Sequence, residues 1–329
     1  MELAIYFANL KQLLDLDEAL RPLDPDSIPS FISTLVFNND TSSREYYANL
    51  VAIQWFEEHT SRTGDALSRL YFGQEFCEHL IPSPDDLTQA YYYCRQLGWD
   101  FTYVSSFCTD EALARQEQNL AVLADMDDDD IEVVVNDWGL LRLMQRQFPQ
   151  LDPVLGRLLS KQKRLGRYTT VNSLWPINRN GLETPEEDLR RNQLAALRDT
   201  SLANPDYRRE LRELGFARVD VDIVPEGLNL PDEPDGLETS CYYPWGYMAG
   251  GRNCLTAGVL DPQREFVAVD GPCPRPCQRY NKAAVRLHGE EILIQRGNSV
   301  FAFHTEYSSP YMTGVYPISR IVLQPYIPI

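Results

Sequence analysis

Three consecutive pieces decide the fold: Leu67-Ser-Arg-Leu-Tyr-Phe72, then Pro84 to Leu97 closed by Gly98, then Phe101-Thr-Tyr-Val-Ser-Ser-Phe107. The outer two are short and largely apolar, as strands buried on both faces are. The middle piece carries Leu87, Ala90, Tyr91, Cys94 and Leu97 at helical spacing. Gly98 follows where a helix commonly ends in a left-handed residue. Strand, helix and strand in that order predict parallel strands joined by a right-handed crossover.

The rhythm extends in both directions. Upstream, Phe31-Ile-Ser-Thr-Leu-Val-Phe37 predicts a strand, and Arg44 to His59 a helix capped by Ser43. Downstream come a helix from Asp110, a strand at Ile131–Val135, a helix over Asn204–Leu214 stopped by Gly215, and a strand at Val219–Val224. Glu291–Ile294 and Val300–Phe303 read as a hairpin around Gly297-Asn298, and Arg320–Gln324 as a last strand. About eight strands with interleaved helices predict an α/β fold, a closed TIM-like β/α barrel rather than an open sheet. The stretch of about 150–200 lacks clear pattern, so the barrel is expected to be irregular or incomplete there. Residues 1–30 are acidic, and Leu10, Leu13, Leu14 and Ala19-Leu20 suggest a short amphipathic helix before a linker through Pro22, Pro25 and Pro29. They read as an N-terminal extension, with the barrel domain over 31–329.

With 329 residues and 43% hydrophobic content the chain can bury a large core. No apolar run reaches the roughly 20 residues that span a bilayer. Met1-Glu-Leu-Ala-Ile-Tyr-Phe7 has neither a basic n-region nor a small-residue cleavage site, so no signal peptide is expected and the predicted location is cytoplasmic. A net charge of −18 disfavours nonspecific nucleic-acid binding, which depends on neutralising phosphates. The basic run Lys161-Gln-Lys-Arg-Leu-Gly-Arg167 is the local exception and reads as a solvated loop. Seven cysteines in such a chain favour metal or redox chemistry over a disulfide framework.

Cys254 and Cys273-Pro-Arg-Pro-Cys277 put three cysteines within 24 residues. Clustered thiolates suit soft iron or zinc, and the prolines restrict the backbone between two of them. A fourth ligand must come from elsewhere. Barrel chemistry sits at the C-terminal ends of strands, which selects Cys77 and Cys108 and leaves both open. Cys94, on the apolar face of a helix, reads as a core thiol. Cys241, ahead of Tyr242-Tyr-Pro-Trp245, is expected at the opposite end of the barrel. Arg252 and Arg275 flank the cysteines; each could bond to cluster sulfide, hold an anionic substrate, or form a surface ion pair. His79 reads as a proton donor or an exposed histidine, and Asp137 as a substrate-directed acid or a helix cap. Tyr242, Tyr243, Trp245 and Tyr247 are core or an aromatic lining. No Ser-His-Asp order, glycine-rich phosphate loop or His-Glu-x-x-His motif appears.

Tyr71-Phe-Gly-Gln-Glu-Phe-Cys77, Val135-Asn-Asp-Trp-Gly-Leu-Leu141, Gly251-Arg-Asn-Cys-Leu-Thr-Ala257 and the Cys273, Cys277, Tyr280 group resemble motifs of the collagenase-like peptidase family (U-32). Within it they are most similar to the UbiV-type branch of oxygen-independent ubiquinone biosynthesis. The UbiU-type pattern needs a cysteine where this chain has Tyr247. The resemblance covers roughly residues 31–329. It implies a [4Fe–4S] cluster on Cys77, Cys254, Cys273 and Cys277, and so chooses Cys77 over Cys108. It further implies hydroxylation of a small aromatic, quinone-precursor-like substrate, with oxygen from an organic donor such as prephenate and a UbiU-like partner in a heterodimer. A peptidase, and a noncatalytic scaffold with a structural four-cysteine metal site, are the alternatives.

Overall fold

A computed structural model describes residues 1–21, 41–126, 128–164, 186–224, 227–231, 235–261, 263, 273–279, 283–286, 292–303 and 315–329. Among the described residues, twelve strands fall into two sheets. In chain order they are β1 (Glu2–Phe7), β2 (Leu67–Gly73), β3 (Asp100–Val104), β4 (Glu132–Val135), β5 (Asp152–Leu155), β6 (Arg218–Asp222), β7 (Glu238–Tyr243), β8 (Trp245–Gly250), β9 (Ala283–Arg286), β10 (Ile292–Arg296), β11 (Ser299–Phe303) and β12 (Arg320–Leu323). Eight of them close a barrel in the order β1-β12-β7-β6-β5-β4-β3-β2, with every pairing parallel. Among the described residues helices connect most successive barrel strands, β6 to β7 being the exception, and the whole is the expected TIM-like α/β barrel.

Alternation along the strands separates two environments. One set of positions, including Ile5, Phe7, Leu70, Phe72, Phe101, Val133, Val219 and Leu323, packs against the helices in the largest core. The Pro84–Gln96 helix buries Leu87, Ala90, Tyr91 and Cys94 there. Its start is fixed by a capping box between Ser83 and Asp86, and Gly98 follows its end at φ +72°. The alternate positions fill the lumen. Arg320 on β12 reaches Glu132 on β4 at 2.6 and 3.0 Å. Those strands are not neighbours, so the contact crosses the interior. Tyr242 meets Tyr6 and Tyr71 edge-on, again from non-adjacent strands.

The inward positions therefore differ from the all-apolar strands expected. At the N-terminal ends of the strands, Glu2, Arg69, Glu132 and Arg320 form an ion network: Arg69 meets Glu2 at 2.7 Å and Asp100 at 3.2 Å, and Arg320 meets Glu2 at 2.7 Å. Each buried charge has a partner, which is the condition for keeping it there.

Residues 1–30 are not wholly an extension. Glu2–Phe7 is a barrel strand, hydrogen-bonded on both sides to β12 and β2. Its Leu3-Ala-Ile-Tyr-Phe7 run is buried because both faces are covered. The expected helix after it is present as two short turns, Leu10–Leu14 and Leu16–Ala19. The proline linker and the expected strand at 31–37 lie outside the described residues. Ser43 lies inside a helix that begins at Thr41, not at its cap. The 291–303 hairpin is antiparallel as expected, but it belongs to a second sheet, β8-β11-β10-β9, and not to the barrel. That sheet follows directly from the C-terminal end of β7 and sits over the barrel mouth, where Trp245, Phe301, Ile294 and Cys277 pack with Phe76, Ile327 and Ile329.

Candidate functional site

The turn after β2 brings the first cysteine to this mouth. Gly73 ends the strand at φ +138°, and a Cβ there would collide with the Val104 carbonyl of the neighbouring strand. Beyond it, Gln74 N donates to that same carbonyl at 3.0 Å. Cys77 then caps the short turn Glu78–Leu80, whose Leu80 amide returns to Cys77 O at 3.0 Å. Buried Glu78 accepts from the Thr109 amide and hydroxyl, both at 2.8 Å, tying this turn to the end of β3.

The other three cysteines come from the excursion between β7 and β12. Cys254 precedes the short helix Leu255–Leu260. Cys277 sits in the turn Pro276–Gln278, opened by Arg275 in the left-handed conformation at φ +53°. Asn298, in the β10–β11 turn, joins the two regions: its side-chain amide donates to Phe76 O and to Gly251 O, both at 2.6 Å. It is a positioning residue that pattern reading placed only as a turn.

The result is one pocket lined by Cys77, Cys254, Cys273 and Cys277, with Arg252, Arg275 and His79 on its wall. Burial pushes the Cys77 thiol up to about 12, against a bond from the His79 amide that lowers it; the other three sulfurs add to the rise. Burial raises Cys254 as well, although the Ala257 and Thr256 amides oppose it. Cys277 is raised by burial and by Cys254, with Arg296 opposing. Without a cation none of these three is a prepared nucleophile. A bound metal reverses that balance, because thiols that coordinate give up their protons. The donor set is all sulfur, which fits an iron–sulfur cluster or zinc. Among the described residues no three His, Cys, Asp or Glu side chains are arranged to hold a single metal ion, so the sulfurs share a pocket without closing on one point.

The remaining cysteines stand apart. Cys108 lies at the end of β3, but its sulfur turns back to Ser106 O at 3.2 Å and does not line the pocket. Cys94 is buried against Trp99 O and Asp100 O, as a core thiol. Cys241 is not at the far end of the barrel: it sits within β7, level with Val221 and Ile321, and is fully buried.

Asp137 caps the Trp138–Gln147 helix, accepting from the Gly139 and Leu140 amides at 2.7 and 3.2 Å, and also receives the Cys108 amide at 3.2 Å. That is the capping role. Arg252 is exposed and donates to Cys108 O at 3.1 Å. The Arg275 amide lies 3.4 Å from the Cys273 sulfur. Tyr242, Tyr243 and Trp245 are all buried, and Tyr247 stacks on Phe76 at 4.8 Å. Tyr242 fills the lumen and Trp245 and Tyr247 plug the mouth, whereas Tyr243 faces outward against Trp55 at 5.4 Å.

Beneath the plug lies a group missed in the sequence. Arg157, fully buried, holds Glu75 through Nε at 2.9 and 3.0 Å and Asp222 through Nη1 at 2.7 Å. Its guanidinium lies 3.9 Å from the Tyr242 ring centre. Arg164, from the basic run, reaches the other Asp222 oxygen at 2.7 Å, so part of that run is a buried ion pair and not a solvated loop. Burial raises the Glu75 carboxyl despite Arg157. Burial also opposes ionisation of Asp222, but Arg157 and Arg164 together hold it below the usual range. The signal was available: Glu75, Arg157 and Asp222 all lie at or just past the C-terminal ends of barrel strands.

Among the described residues no helix is long and apolar enough to cross a membrane. No protein-family model matches the chain, and comparison with curated proteins finds no matching sequence.

Proposed function

We propose that the chain is an iron–sulfur protein of the U-32, UbiV-like type, holding a [4Fe–4S] cluster on Cys77, Cys254, Cys273 and Cys277. In this reading it takes part in oxygen-independent hydroxylation of a small aromatic substrate with a UbiU-like partner. One observation carries the metal reading: four cysteines from separate parts of the chain line one pocket, while Cys94, Cys108 and Cys241 do not. The motif resemblance carries the reaction class. Bound there, a cluster would supply one-electron redox chemistry. The chain's own residues have distinct tasks. Arg252 and Arg275 stand on the pocket wall, where they would donate to cluster sulfide or hold an anionic substrate. Asn298 holds the barrel turn and the Gly251 loop at fixed separation. The Trp245–Phe301–Phe76 cluster keeps water from the buried side.

Anaerobic purification with iron, sulfide and zinc analysis tests the proposal on the parent chain, Cys77→Ser and Cys108→Ser. About four irons and four sulfides per chain are expected. Cys77→Ser should lower both, while Cys108→Ser should leave them unchanged. Stoichiometric zinc without sulfide would make the site a structural staple. Equal effects of the two substitutions would remove Cys77 from the ligand set. Hydroxylation assays with and without a co-purified UbiU-like protein test the partner; full activity of the isolated chain would exclude an obligate one.

A further inference from the structure

Behind the thiol pocket, outside its wall, stands a cation. Arg296 ends β10, and Gly297-Asn298 just beyond it line the pocket. Ile294, two residues earlier, packs against Cys277 in the mouth cluster, while Leu293 belongs to a separate cluster with Met248 and Ala302. Alternate residues of a strand share a face, so Arg296 lies on the Cys277 side. Gly297 brings the turn close: at φ +60°, its Cβ position stands 3.6 Å from the Cys277 Cβ.

The surroundings of Arg296 leave its charge open. The side chain is partly buried. Nη1 donates to Ile327 O at 3.5 Å, and Nε is buried with no hydrogen-bond partner. Glu45, which also meets Ile327, accepts from its amide at 3.3 Å. Burial works against the guanidinium charge, and among the described residues the acidic group that supports it is the Cys277 thiol. The influence is mutual, since Arg296 favours ionisation at Cys277. Cations drawn out of water are held by an anion, and arginine cannot shed its proton to escape the cost. Elsewhere this chain follows that rule: Arg157 has Glu75 and Asp222, and Arg320 has Glu2 and Glu132. At Arg296 a thiol stands where the others have a carboxylate. Coordination to a metal would turn that thiol into a thiolate and supply the negative charge. The arginines of the pocket wall differ. Arg252 and Arg275 are exposed, so water and salt screen them. Arg296 acts across protein, where a charge counts for more.

We propose that Arg296 is the fixed counter-ion of the four-cysteine site, and that its charge raises the one-electron reduction potential of a cluster held there. The inference rests on the iron–sulfur reading. A cluster on thiolates gains one negative charge when it accepts an electron from a one-electron donor; no bond forms or breaks, and no proton is needed. A fixed cation beside Cys277 favours that more negative state. Arg296 is thus a positioning residue, acting through the charge it holds behind a ligand.

Redox titration of the anaerobically purified full chain, followed by visible absorbance, tests this beside iron and sulfide analysis. Arg296→Met and Arg296→Gln remove the charge, and the glutamine keeps a donor for Ile327 O. Either should shift the one-electron equilibrium at least about tenfold towards the oxidised state, a fall of about 59 mV in midpoint potential. The fall should persist at high salt, which screens buried charges little. Arg296→Lys keeps the charge and should stay within about threefold of the parent. Arg279→Met, at an exposed arginine just past the Cys277 turn, should also stay within about threefold. A full cluster whose potential ignores both neutral variants, or a lysine variant that falls as far as they do, would overturn this inference and leave the iron–sulfur reading standing. A parent chain without iron and sulfide would overturn both.

Discussion

Arg157 puts a cation under an aromatic ceiling, with Glu75 and Asp222 as its ion-pair partners among the described residues. Arg157→Met leaves Glu75 buried without its cation, and Asp222 held by Arg164 alone. Breaking a buried pair in this way typically costs about 3–5 kcal/mol. We expect a loss of that order in the urea unfolding free energy, or no folded protein. Gly73 makes a different demand. Gly73→Ala drives a methyl into the Val104 carbonyl and should cost well beyond about 1 kcal/mol, read as a lowered thermal midpoint. At this scale the sequence was partly legible. Clustering marked Cys254, Cys273 and Cys277, and strand ends marked Cys77 beside Cys108. Spacing could not separate those two, because the difference lies in side-chain direction: the Cys108 sulfur turns to Ser106 O.

Asn298 sits where two elements meet, and its effect belongs to the element. Asn298→Ala leaves the Phe76 and Gly251 carbonyls without their shared donor, a loss of about 1–3 kcal/mol. Amide exchange across Ser299–Phe303 should quicken, and any metal held in the thiol pocket should bind more weakly, while exchange in β3 and β4 stays unchanged. β2, β3 and β4 were readable because each is a compact apolar run followed by a well-punctuated helix. β5 was not, because Asp152-Pro-Val-Leu155 is four residues long and contains a proline. β7 and β8 read as one segment because the apolar pattern continues through Pro244 while the chain passes from the barrel into the mouth sheet. The hairpin at 292–303 was legible as a hairpin, yet nothing in its own pattern says which sheet it joins. β1 was hidden by the proline-rich stretch after it, which lent the whole segment the look of a linker.

For the molecule as a whole, two lumenal carboxyls titrate in opposite directions. Burial opposes ionisation of Glu132, but Arg320 and Arg69 overcome it and bring the group down from 4.5 to about 2. Its contribution is present above its unfolded value and is lost as pH falls towards about 2. Burial lifts Asp220 from 3.8 to about 7, despite the Tyr242 hydroxyl. Its contribution is complete below 3.8 and is lost as pH rises through about 7. Stability should therefore peak in the mildly acidic range, measured as the urea midpoint against pH. Asp220→Asn should flatten the neutral side and Glu132→Gln the acid side. The barrel itself was legible from its alternation; its polar lumen was not, since a period of two shows which residues share a face but not which face is inside. The ring closes where Glu2 meets Arg320, the β1–β12 seam. During synthesis β1 emerges first and must wait, one edge unmatched, until β12 arrives. Cys77 waits with it, because Cys254, Cys273 and Cys277 are translated only after most of the ring exists. Completion of the four-sulfur pocket is thus a late event in the life of each chain, and a metal held there would mark the molecules whose ring has shut.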